Sequence, residues 1–185
     1  MSVLTAANQL TLLRLLLVPV FAICMLYGMP GWALVTFAVA GVTDMFDGLL
    51  ARRSGPTTLG AWLDPMADKL LLTTMFVMLT MPGVATVQRL PLWLTVLVIS
   101  RDIAIVLTVA IVNLAVARRT FRPSFLGKAT TATYMVTGVG MLYANYSGTP
   151  LFVVTLLVYT SLALTLASAL EYTFTVYRMT GSTGG

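Results

Sequence analysis

The chain has 185 residues, is 58% hydrophobic and only 9% charged, and carries a net charge of +5. Its mean hydropathy of +0.94, spread over long apolar runs, excludes the soluble class and implies an integral membrane protein with room for about six spans of ~20 residues. The absence of histidine excludes a histidine base, a phosphohistidine intermediate and imidazole-ligated metal, leaving the chemistry to carboxylates, hydroxyls, lysine and arginine.

The first apolar segment runs from about Thr11 to Tyr27 and contains both Arg14 and the single cysteine, Cys24, which is expected to be a packing residue. The break Gly28-Met29-Pro30-Gly31 and a further span follow it, rather than a small-residue cleavage site, so a retained helix is expected instead of a signal peptide. The second span covers Trp32 to Ala51, and the third starts near Leu59 and ends at Met81-Pro82-Gly83. The fourth extends from about Pro91 to Ala117, the fifth from Leu126 to Ala144 and the sixth from Pro150 to Tyr172. The expected fold is all-α: one domain, residues 1–185, forming a bundle of six transmembrane helices. Six spans put the two ends, the second-to-third link and the fourth-to-fifth link on one face. That face carries Arg14, Arg52, Arg53, Lys69, Arg118, Arg119, Arg122, Lys128 and Arg178, against Arg89 opposite, so both termini are expected in the cytoplasm.

Of the 6 acidic residues, Asp44, Asp47, Asp64 and Asp68 fall within one short stretch, where an ionised carboxylate is costly unless compensated. Asp44, Asp47, Gly48 and Ala51 stand at i, i+3, i+4 and i+7, one stripe of one helix; Gly60, Asp64 and Asp68 form a stripe of the next. A short link containing Ser54-Gly55-Pro56 makes these helices antiparallel neighbours, so the four carboxylates are expected to converge just below the cytoplasmic interface. Such a cluster needs protons or cations, and oxygen-only ligation favours Mg2+ or Mn2+, with two ions sharing the carboxylates. Gly48, Ala51 and Gly60 leave a groove for a flat base or a phosphate, with Arg52 and Arg53 at its mouth. Two other readings compete. The aspartates could form salt bridges with Arg52, Arg53, Lys69 and Arg101, or they could be the relay of a cation or proton transporter.

The string D-x2-D-G-x2-A-R-x7-G-x3-D-x3-D from Asp44 to Asp68 resembles the signature of the CDP-alcohol phosphatidyltransferases, with a link one residue shorter than the family's usual spacing. "NQLTLLRLLLVP" near the start and "SFLGKATTAT" before the fifth span also look like segments of that family, so the resemblance covers nearly the whole chain. It implies a six-helix enzyme of the bacterial inner membrane, typically a homodimer, with its active site facing the cytoplasm. Asp44, Asp47, Asp64 and Asp68 would be metal ligands, and Asp68 the general base on the acceptor hydroxyl. Asp44, Gly48, Ala51, Arg52, Gly60 and Asp64 would bind the CDP part of CDP-diacylglycerol. Arg101, Arg118, Arg119, Arg122 and Lys128 are expected to bind an anionic alcohol, with nucleic acid excluded as a partner. Glycerol 3-phosphate is the preferred acceptor. Phosphatidylglycerol, giving cardiolipin, is the alternative, since Arg101-Asp102 looks more like that branch.

Overall fold

The computed structural model describes residues 6–54, 60–115 and 124–181, and the side chains of 9–44, 66–107 and 124–172. Its described residues form six helices and no strand: α1 (Ala6–Leu26), α2 (Pro30–Ser54), α3 (Gly60–Thr80), α4 (Leu92–Ala115), α5 (Phe125–Ser147) and α6 (Phe152–Gly181). Each matches one expected span. The differences lie at the ends: α1 begins before Thr11 and α6 continues past Tyr172. Apolar content sets the limits of a span, whereas backbone hydrogen bonding sets the limits of a helix, and the second outlasts the first.

Two helices, α1 over Gln9–Leu26 and α6 over Phe152–Tyr172, are long and apolar enough among the described residues to cross a membrane by themselves. The exposed surface agrees with lipid contact: Leu12, Leu16, Val20 and Ile23 lie outward on α1, while Thr11 and Arg14 lie inward. Apolar outside with polar inside inverts the arrangement of a soluble bundle.

Contacts divide the chain into two compact units, Met1–Leu90 with Gly138–Leu151 and Pro91–Thr137 with Phe152–Gly185. In the first, α1 packs against both α2 and α3. The α1–α2 turn is closed by Gly28 at φ +67°. Its N–H donates to the carbonyl of Met25 at 3.1 Å while Met29 N–H donates to that of Cys24 at 2.8 Å. This pair of bonds caps α1 in the Schellman manner, which requires the left-handed conformation glycine adopts without strain. Pro30 then opens α2, where its missing N–H costs nothing.

At this end of the first unit the link after α3 is tied to the end of α5 by amides. Asn145 accepts the N–H of Val87 at 3.0 Å through Oδ1, and its Nδ2 donates to the carbonyls of Gln88 at 2.8 Å and Met141 at 2.9 Å. Gln88 pairs with both backbone groups of Leu151, donating at 3.2 Å and accepting at 3.0 Å. Gly31 lets α2 approach closely, since a Cβ there would come within 2.8 Å of the Tyr146 ring.

In the second unit α4 packs on α6. A seam of buried hydroxyls joins α5 and α6: Thr137 Oγ1 bonds Ser161 Oγ at 3.0 Å, Tyr134 bonds Thr165, and Thr130 donates to the carbonyl of Leu164 at 3.3 Å. Small hydroxyl side chains permit close helix approach and hold it by hydrogen bonds, which suits helices without a hydrophobic force between them.

Candidate active site

The buried face of α1 follows helical spacing through Thr11, Arg14, Phe21 and Met25. It packs against α2, whose buried residues include Ala33, Thr36, Phe37 and Ala40, and against α3, whose buried residues include Ala67 and Leu71. The Phe21 and Phe37 rings pack at a centroid distance of 6.1 Å and a tilt of 57°. One turn past Ala40 the α2 stripe reaches Asp44, and beside Ala67 stands Asp68. Apolar packing therefore brings two of the aspartates to the level of Arg14.

Arg14 reaches both. Its Nη2 lies 3.1 Å from Asp44 Oδ1 and its Nη1 lies 2.7 Å from Asp68 Oδ1. The guanidinium side chain is 1% exposed, whereas the carboxylates are 43% and 41% exposed. Two carboxylates held by one guanidinium repel each other, by roughly 3 kcal/mol for unit charges ~5 Å apart at an effective dielectric of ~20. The cation between them offsets that repulsion, and a buried guanidinium in turn needs such partners.

Two of the salt-bridge partners expected for the aspartates, Arg52 and Arg53, have side chains outside the described residues. Arg14, assigned by sequence to the cytoplasmic charge tally, is a partner of both Asp44 and Asp68, because it sits on the inner stripe of α1. A signal was available: a lone cation flanked by leucines in an apolar run carries the same cost that made the aspartates conspicuous.

Asp47, Gly48, Ala51 and Arg52 continue on α2 beyond Asp44, and Gly60 and Asp64 belong to α3 before Asp68. Their side chains, like that of Arg53, lie outside the described residues, as does the link at 55–59. Among the described residues no group of three or more acidic, histidine or cysteine side chains gathers; only Asp44 and Asp68 of the four aspartates can be compared. The chemistry of those two fits a hard divalent cation, since both are oxygen donors and partly open.

Of the residues expected to hold the acceptor, Arg118, Arg119 and Arg122 lie outside the described residues, and Lys128 is exposed on α5. Arg101 of α4 is 11% exposed and pairs with its neighbour Asp102, Nη1 to Oδ1 at 3.0 Å. Its Nη2 donates to Ser168 Oγ of α6 at 3.0 Å. Gly127 stands against the same nitrogen, where a Cβ would be 3.5 Å away. Arg101 Nε is buried and makes no hydrogen bond among the described residues.

A family model described as CDP-alcohol phosphatidyltransferase matches residues 4–171. The chain is 38% identical over 176 residues, 90% of its length and 78% of the relative, to a protein of Mycobacterium tuberculosis named "Probable phosphatidylglycerophosphate synthase". It is 34% identical over 172 residues to the Escherichia coli K12 CDP-diacylglycerol–glycerol-3-phosphate 3-phosphatidyltransferase, covering 88% of this chain and 90% of that one. Over 156 residues it is 37% identical to a CMP-forming cardiolipin synthase of Streptomyces coelicolor, covering 79% and 68%.

Proposed function

Because the chain belongs to the CDP-alcohol phosphatidyltransferase family, we propose that it transfers the phosphatidyl group of CDP-diacylglycerol to the hydroxyl of glycerol 3-phosphate, giving phosphatidylglycerophosphate and CMP. The observation that carries this reading is the Arg14-bridged pair of Asp44 and Asp68 inside the signature the family shares. Relatives named for this transfer match over most of both lengths.

In the reaction, the acceptor oxygen forms a bond to the phosphatidyl phosphorus, the diphosphate P–O bond breaks, and CMP departs. Asp68 takes the hydroxyl proton. Asp44, Asp47, Asp64 and Asp68 would hold divalent ions, two of Mg2+ or Mn2+, which when bound would supply charge neutralisation at the diphosphate. Gly48, Ala51, Arg52 and Gly60 line the place of the CDP group. Arg101, Arg118, Arg119, Arg122 and Lys128 bind the acceptor's phosphate, a role supported by the buried Nε of Arg101, which makes no hydrogen bond among the described residues. The six helices span a bacterial inner membrane with both termini and the active site on the cytoplasmic side, and the enzyme works as a homodimer. Family membership leaves no support for the transporter reading.

Cardiolipin synthesis from phosphatidylglycerol is the second reading, favoured by the Streptomyces relative and by the Arg101–Asp102 pair. Purified protein incubated with CDP-diacylglycerol and each alcohol, followed by identification of the lipid product, decides between them. Chelation should abolish transfer and Mg2+ or Mn2+ should restore it; full activity in excess chelator refutes the metal-dependent reading.

A further inference from the structure

Arg14 lies on α1, outside the signature on α2 and α3, yet its guanidinium is the group on which Asp44 and Asp68 meet. Asp44 Oδ1 and Asp68 Oδ1 are met by different nitrogens of the same planar fork. A lysine offers a single nitrogen and cannot span two helices in this way. The guanidinium side chain is buried, as is Thr11 one turn away, while the two carboxylates stay half-exposed.

Resting on the reading above, we infer that Arg14 is a positioning residue and a built-in counter-cation for the transfer. It fixes the separation of the α2 and α3 carboxylates by binding the Oδ1 atom of each. It also adds one unit of positive charge beside the place where an anionic diphosphate must sit. A residue that only fastened helices would lack the second property: its loss would weaken cation binding and turnover together. Loss of a counter-cation separates them, because the carboxylates attract a divalent ion more strongly once the competing charge is gone, while the geometry needed for transfer is lost.

The test uses full-length protein in detergent, with Mn2+ alone as the probe of the substrate-free state. Arg14→Gln should bind Mn2+ several-fold more tightly than the wild type while its kcat falls at least 10-fold. Arg14→Lys, which keeps the charge without the fork, should bind Mn2+ within about 2-fold of the wild type and lose about 5-fold or more in kcat with its melting temperature preserved. Weaker Mn2+ binding in Arg14→Gln alongside lost turnover would reduce Arg14 to a helix fastener and overturn the proposal. Wild-type kcat in either variant overturns it too, and if Arg14→Gln does not fold, Arg14→Lys carries the decision alone. Failure of the functional reading is seen separately, as a wild-type protein that binds Mn2+ but transfers no phosphatidyl group to any alcohol.

Discussion

Asn145 and Arg14 are both buried polar side chains of the first unit, 8% and 1% exposed, and their surroundings are built on opposite plans. Around Asn145 and Gln88 the partners are backbone amides, uncharged and tied in both directions, so polarity is neutralised where it arises. Around Arg14 the partners are carboxylates that remain two-fifths exposed. Asp44 is about 20 Å along α2 from the end where Asn145 lies, at 1.5 Å per residue. An amide network closed on itself stiffens a connection and offers nothing to a ligand. A buried cation under half-open anions keeps charge available, at a cost that packing on three helices offsets. On the proposed reading, the difference puts stability at one end and chemistry at the other.

The sharpest way to break that assignment is Asp68→Asn. Side-chain size and one oxygen persist while proton acceptance is lost, so turnover should drop about 100-fold or more with little change in melting temperature. A variant with ordinary turnover and lowered stability would place Asp68 among the fasteners. Arg101→Gln asks to which kind the Arg101–Asp102–Ser168 group belongs. As an acceptor contact it should raise the KM for glycerol 3-phosphate by about 10-fold or more, leaving the KM for the CDP-linked donor nearly unchanged. An unchanged acceptor KM with a lower melting temperature assigns it to packing.

At the amide end the expected effects reverse. Asn145→Ala leaves the Val87 N–H and two carbonyls without their partner and should cost about 1–3 kcal/mol, read as a fall in melting temperature, while kcat per folded molecule stays within about 2-fold. Gln88→Ala loses the pairing with Leu151 and should cost about 1 kcal/mol in the same measurement. A loss of turnover larger than the loss of folded protein in either variant would show that this end also serves the reaction.

All six helices were legible in the sequence because apolar run length and Gly-Pro breaks report directly on single elements, as at Gly28 and Pro30. The prominence of Asp44 and Asp68 was legible for the same reason, since charge within an apolar segment is conspicuous locally. Their partner was not. Spacing within α1 places Arg14 on a stripe with Thr11 and Phe21, but nothing in one helix states which side chain of another it will face. Asn145 escaped notice entirely: an amide near a helix end is ordinary, and its importance arises from the return of Val87 and Gln88 to its side. Asp102 was visible beside Arg101, whereas Ser168, on a helix far along the chain, was not.

The locally closed turn at Gly28 also bears on the order in which the protein is made. Because α1 and α2 are joined by a cap that needs only residues Cys24 to Met29, a nascent chain that has completed α2 can pair Arg14 with Asp44 as a hairpin. The pair with Asp68 spans 54 positions and waits for α3. Chain order thus makes one half of the guanidinium's pairing available before the other, while the first unit as a whole also needs Gly138–Leu151.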